Sequence, residues 1–252
     1  MNAATILNLK QQAATTLALI RKELYSYSIS PAFFGIALFF LIFTATWLFQ
    51  FQNFLQRGEA SLRAYFSAFP IAFILVIPAI TMRSWAEERK TGNSELLLTL
   101  PFSEWSLVLG KFFAALAVVG LLFLLTLPVP FSLSLLGRFD AGMIVAEYAG
   151  ALLLAGAVIS LGLLLSALSK NQVAAFLGSA VVLVFIMLIS QIPWTTTFPY
   201  WLDIVIRTVA LAAHFETFSK GLLDTRDAAY FLVTTVLFLF LNVKVLVFRK
   251  WS

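Results

Sequence analysis

The residues best equipped for chemistry stand in one polar run, Met82-Arg83-Ser84-Trp85-Ala86-Glu87-Glu88-Arg89-Lys90-Thr91-Gly92-Asn93-Ser94-Glu95-Leu96-Leu97-Leu98-Thr99-Leu100-Pro101. Glu87, Glu88, Arg89 and Glu95 offer both signs of charge to an opposing surface, and the consecutive leucines Leu96, Leu97 and Leu98 need lipid or a protein groove to cover them. Thr91-Gly92-Asn93 is a turn signal, Asn93 or Ser94 can act as an N-cap, and Glu95 suits a helix N-terminus. A short helix over Glu95 to Thr99, stopped by Pro101, is therefore expected, with a second helix starting at Ser103. This is the chemistry of docking rather than of turnover.

Other chemistries lack their residues. A phosphate-binding loop needs G-x-x-x-x-G-K-[ST]; Gly110-Lys111-Phe112 has neither the leading glycine spacing nor the hydroxyl. Without cysteine there is no disulfide, thiolate metal site or Cys nucleophile. His214 is the sole histidine, with Glu216 two residues on and no H-E-x-x-H around it, so it reads as a hydrogen-bonding group rather than a metal ligand. No Ser-His dyad and no pair of facing acids falls within the apolar stretches. No catalytic, cofactor-binding or metal-binding residue is expected on this chain.

The elements that must carry that docking run are set by composition. Of 252 residues 61% are apolar and 12% charged, against about 45–50% and about 25% in soluble domains, and the mean hydropathy is +0.96. An all-α integral membrane protein is expected, with spans over residues 31–49, 66–82, 107–136, 148–168, 173–192 and 228–248. Pro128 and Pro130 should kink the far end of the third. Residues 1–29 read as an amphipathic interfacial helix, with Ile6, Leu9, Ala13, Leu17, Ile20 and Leu24 on one stripe. Residues 83–106 form the loop between spans two and three, and 193–227 a helical segment on the opposite side, with Trp201, Ile204, Val205, Thr208 and Leu211 as its stripe and Gly221 as its stop. The chain reads as a single transmembrane domain.

The 17 Lys and Arg are scattered, which argues against a nucleic-acid partner and makes them topology markers. Eleven fall on the side of the termini and six on the other, so both termini and the docking loop are expected to be cytoplasmic. The charged groups lie in loops or near span ends, Glu147 at the start of the fourth, which disfavours an ion-coupled carrier. Small pairs four apart, Ala151 with Ala155, Gly156 with Ser160, Gly162 with Ser166 and Ala174 with Gly178, suit close helix packing within one subunit.

The run Ala86 to Gly92, then Glu95 to Pro101, then Leu109-Gly110-Lys111, resembles the cytoplasmic loop of ABC-2 type transporter permeases, although family members usually have Thr where Asn93 or Ser94 stands. His214-Phe215-Glu216, Lys220-Gly221, Asp224, Arg226-Asp227 and Tyr230-Phe231 resemble the permeases of gliding-motility ABC transporters. The resemblance implies a multi-pass permease subunit of the bacterial inner membrane. It would pair with a second copy of itself or a sister permease and dock on two ABC ATP-binding subunits through Glu87, Glu88, Arg89, Gly92, Glu95, Leu96, Leu97, Leu98 and Pro101. ATP and Mg would sit on those partner subunits, driving export or force transmission. The family's re-entrant outer helices imply an outer gate at Trp201, His214, Phe215 and Glu216, and membrane lipid and an extracytoplasmic accessory subunit are further expected partners. The alternative is a non-transporting scaffold of a motility or secretion complex.

Overall fold

The structure is a computed structural model that describes residues 3–54, 61–90, 103–135, 137, 139–188, 208, 210–221 and 224–250. Every regular element among these residues is helical: α1 Ala3–Ile29, α2 Pro31–Thr46 with a π-helical turn Trp47–Phe51, α3 Arg63–Phe66, α4 Ala68–Lys90, α5 Glu104–Thr126, α6 Pro128–Ser134, α7 Ala141–Leu168, α8 Gln172–Leu188, α9 Leu211–Phe218 and α10 Thr225–Lys250. Five stretches, Pro31–Phe51, Arg63–Arg89, Glu104–Ser134, Ala141–Leu168 and Thr225–Arg249, are long and apolar enough to cross a membrane, and Gln172–Met187 is a shorter apolar helix. The protein is thus an all-α multi-pass membrane protein.

Local chemistry sets the boundaries. Ser30 in extended conformation leads into Pro31 at the first helical position of α2, where a missing N–H costs nothing. The Ser103 hydroxyl accepts from the Ser106 amide to cap α5, and Pro128 divides α5 from α6. Asp140 Oδ1 accepts from the amides of Gly142 at 2.8 Å and Met143 at 3.4 Å, starting α7 well before Tyr148 and making it 28 residues long. α4 likewise continues past Met82 to Lys90, because Arg83 to Lys90, a mostly polar stretch that hydropathy reads as loop, prolong the helix.

α7 is the hub and packs against α4, α5, α8, α9 and α10. In hydrocarbon, helices gain little from burying apolar surface, so close approach and polar contact must hold them. The α7 face supplies this through small residues: Ala151, Ala155 and Ser160 are buried, and a Cβ on Gly162 would lie 2.5 Å from Thr81 Oγ1 of α4. Ala174 and Gly178 of α8 do not join this packing; Ala174 is exposed and a Cβ on Gly178 would meet nothing. Helix direction alternates, so the bundle has two ends. One gathers α1, the start of α5 and the ends of α4, α7 and α10; the other carries α3, α6, α9 and the start of α7.

Candidate functional site

At the α1 end, α1 lies across the start of α5. Gly110 permits this, since a Cβ there would stand 2.9 Å from Leu19 Cβ. Among the described side chains of α1, Leu19, Glu23, Leu24 and Tyr27 meet the bundle, while Leu17 is 68% exposed and faces away.

One helical turn on from Leu19, Lys111 of α5 sits between two carboxylates, with Nζ 3.1 Å from Glu23 Oε1 and 2.7 Å from Glu88 Oε1 of α4. The three side chains are only 5%, 15% and 15% exposed, and the ammonium also lies 4.8 Å from the centre of the Trp85 ring. Desolvation makes such a triad costly to break, because any lost partner leaves an uncompensated buried charge. Below it the Tyr27 hydroxyl donates to Ile80 O at 3.1 Å, and burial pushes the phenol up to about 12, so it remains a donor. Arg83 Nη1 donates to Ser30 Oγ at 3.0 Å, and its Nε is 4.0 Å from Glu87.

The last turns of α4 are also fixed to α7. Ser166 Oγ donates to Met82 O at 3.2 Å and accepts from the amides of Trp85 and Ala86. Arg89 donates to the carbonyls of Ala167 and Ser169, and Arg249 of α10 donates to Leu168 O at 3.2 Å. Two guanidiniums therefore meet the negative end of the α7 dipole. Of the acids and bases expected to face a partner, Glu88 and Arg89 are engaged within the chain and Glu87 is exposed beside Arg83. Gly92, Glu95, Leu96, Leu97, Leu98 and Pro101 lie outside the described residues.

At the other end α9 covers the start of α7. It buries Leu211, Phe215 and Phe218, and the Phe218 ring rests on Gly150, where a Cβ would come within 2.5 Å of it. Gly221 then turns the chain at φ +75°, a conformation that suits glycine, against Met143. His214 Nδ1 is 2.7 Å from Asp227 Oδ1 of α10, its Nε2 3.1 Å from Thr208 O, and its ring stacks on Tyr230 with centres 3.9 Å apart. A neutral imidazole donates to one of these acceptors and a protonated one to both. Glu216 is exposed and pairs with Arg63 of α3 at 3.5 Å and Lys220 at 3.4 Å. Among the expected gate residues the structure groups His214, Phe215 and Glu216 on α9; Trp201 lies outside the described residues.

Beneath α9 an interlocked layer of rings fills the bundle, with Phe66 and Tyr148 4.8 Å apart and Phe69 and Phe123 5.4 Å apart. Beside it Glu147 corrects the expectation that charge stops at the span ends. It sits two turns inside α7, fully buried, with no hydrogen-bond partner among the described residues for either carboxylate oxygen. The early Asp140 cap is the physical cause, because it brings Glu147 into the helix one turn from Gly150. Sequence reasoning also passed over Glu23 and Trp85. A Lys in the second turn of an apolar helix, with Glu23 and Glu88 on neighbouring helical segments, was the available signal.

Among the described residues no cluster of His, Asp and Glu could hold a metal ion. The arrangement binds helices to one another. Compared with known proteins, residues 17–249 match the family model described as ABC-2 family transporter protein. No curated protein matches the chain.

Proposed function

The chain belongs to the ABC-2 family of transporter proteins, and on that premise we propose that this permease subunit turns ATP hydrolysis in a separate nucleotide-binding subunit into movement across the bacterial inner membrane. The observation that carries the reading is the bridge between the two helices that flank residues 91–102. Glu88 at the end of α4 and Lys111 near the start of α5 share a buried ion pair, so a push on the loop between them would move both helices together. α4 is 23 residues long, about 34 Å at the helical rise of about 1.5 Å per residue. A tilt at its α1 end would therefore reach the ring layer under α9.

In this reading the α1 end faces the cytoplasm, in line with the positive-inside count, and the loop docks on the ATPase subunit through Glu87, Gly92, Glu95, Leu96, Leu97, Leu98 and Pro101. Glu88 and Arg89 hold the docking surface to the bundle rather than touch the partner. ATP and Mg belong to the partner, two ATPase subunits serve two permeases, and the second permease is a copy or a sister chain. α9 acts as an outer cover, with His214 and Phe215 as its anchors and Trp201 on the segment leading to it. Export or force transmission is the output, and the motif at His214 to Phe231 supports the gliding-motility branch with an extracytoplasmic accessory subunit.

The test is affinity purification of the tagged chain from native membranes in mild detergent, comparing wild type with Leu97→Asp. An ATP-binding subunit should co-purify with the wild type and be lost from a variant that remains folded by its gel-filtration profile. Full retention on Leu97→Asp, or no ATPase with the wild type, would overturn the docking assignment and favour a scaffold.

A further inference from the structure

A cavity of about 310 Å³ opens between α1, the start of α2 and the last turns of α4, a volume at the lower end of small-molecule sites, about 300–1,000 Å³. Its wall changes character with depth. Toward the α1 end it is polar, with Lys22, Arg83 and Lys111 balanced by Glu23, Glu87 and Glu88 and with Ser30 beside Arg83. Deeper toward the centre of the bundle it is apolar, built from Phe33 and Ile36 of α2 and Ala79 and Ile80 of α4.

The two charged groups of the wall are not equivalent. The triad holds one ammonium against two carboxylates, leaving a formal single negative charge on that side. Arg83 lines the cavity beside Ser30, and its Nε is buried with no hydrogen-bond partner among the described residues, 4.0 Å from Glu87. Guanidinium and hydroxyl together suit a phosphate, while the net-negative triad suits an ammonium. The lining sums to zero charge, which fits a dipolar headgroup better than an anionic one.

The direction of the apolar wall decides between a free phosphoryl amine and a lipid. Phe33 and Ile36 lead from the polar mouth toward the depth where Phe34 and Leu38 of the same helix face outward, 63% and 60% exposed. A tail entering here would run from the interface into hydrocarbon, as a bilayer lipid does. We propose that this cavity holds the headgroup and the first acyl methylenes of a zwitterionic, amine-bearing phospholipid from the leaflet at the α1 end. The lipid would wedge α1 against α4 next to the ion triad. This site does not depend on what the transporter moves.

The test uses the full chain, purified with any subunit that stays bound, stripped of lipid by detergent exchange and then offered phosphatidylethanolamine, phosphatidylcholine or phosphatidylglycerol in mixed micelles. Native mass spectrometry counts retained lipid, and unfolding monitored by tryptophan fluorescence gives the stabilisation. Phosphatidylethanolamine should be retained and raise the unfolding temperature more than either other lipid. Ile36→Trp, which fills the apolar depth, and Arg83→Gln, which removes the phosphate donor, should each cut retention by about tenfold, the effect of losing one charged hydrogen bond or its packing counterpart. Val233→Trp on the exposed face of α10 serves as the control and should retain lipid as wild type does. Equal retention of all three lipids, or full retention by Ile36→Trp, would overturn the site. Equal stabilisation by soluble glycerophosphoethanolamine would overturn the lipid assignment and make the ligand a free phosphoryl amine. Ile36→Trp keeps the polar wall, so a misfolded Arg83→Gln leaves the test intact.

Discussion

The two ends of the bundle are closed by different means. At the α1 end, helices are joined by charges withdrawn from solvent: Lys111 between Glu23 and Glu88, and Arg89 and Arg249 on the last carbonyls of α7. At the α9 end, shape does most of that work, with Phe218 resting on Gly150 and rings interlocked beneath; one buried polar contact, His214 with Asp227, joins α9 to α10, and the ion pairs that α9 makes through Glu216 lie on the surface. Buried charge tolerates little displacement, because separation exposes a desolvated ion; a ring on a glycine can slide or lift at much lower cost. The contrast suits an end that transmits a push and an end that opens in response.

The largest effect should come from breaking the triad. Lys111→Met leaves two carboxylates buried without their cation and removes the contact with Trp85, at a cost of about 3–5 kcal/mol. Thermal unfolding in detergent should show a much lower midpoint for Lys111→Met than for wild type. Adding Glu23→Gln and Glu88→Gln to the same chain should recover most of the loss, since no unpaired charge then remains. A Lys111→Met protein as stable as wild type would mean that the triad does not hold this end together.

An intermediate effect is expected from Gly150→Ala. The new methyl would meet the base of the Phe218 side chain at 2.5–2.6 Å, an overpacking that costs about 1–3 kcal/mol and can be relieved by lifting α9. The absence of native cysteine makes this measurable: Ser219→Cys, buried behind α9, becomes the single thiol of the chain. Maleimide should label it slowly alone and faster when Gly150→Ala is added, whereas Lys111→Met, at the opposite end, should not change the rate. Equal labelling in both backgrounds would show that α9 is held by something other than the Phe218 contact.

How much of this contrast was legible in the sequence depends on what each region asks of a pattern reader. The apolar runs, the break at Pro128 and the stop at Gly221 were readable, because length, a missing N–H and a left-handed turn are local properties. The tail of α4 was not, since the stretch is mostly polar and only the contacts of Ser84, Trp85, Glu88 and Arg89 with α1, α5 and α7 make it structural. Glu147 failed for a related reason. A charge near the end of an apolar run is ordinarily a boundary marker, and neither the Asp140 cap nor the cover supplied by α9 is visible from hydropathy. His214 was read as a hydrogen-bonding group and makes such contacts, but its partner Asp227 is on a different helix, and although both stood in the same resembling stretch nothing in the spacing paired them.

The smallest effect should come from the pair with the same chemistry as the triad. Arg63 and Glu216 stand 3.5 Å apart, close to the separation of Lys111 and Glu23, yet their side chains are 49% and 61% exposed. Water screens both charges and lets each side chain move, so Glu216→Gln should cost about 0.2–1 kcal/mol, within the range of exposed pairs. Raising the salt concentration should narrow the difference between Glu216→Gln and wild type in thermal unfolding, and should leave the defect of Lys111→Met almost unchanged, because buried pairs are little screened. A salt-insensitive loss well above about 1 kcal/mol for Glu216→Gln would mean that Glu216 is desolvated in the assembled protein. The α9 end would then be locked by charge as the α1 end is, and a cover held mainly by shape would no longer be the right description of it.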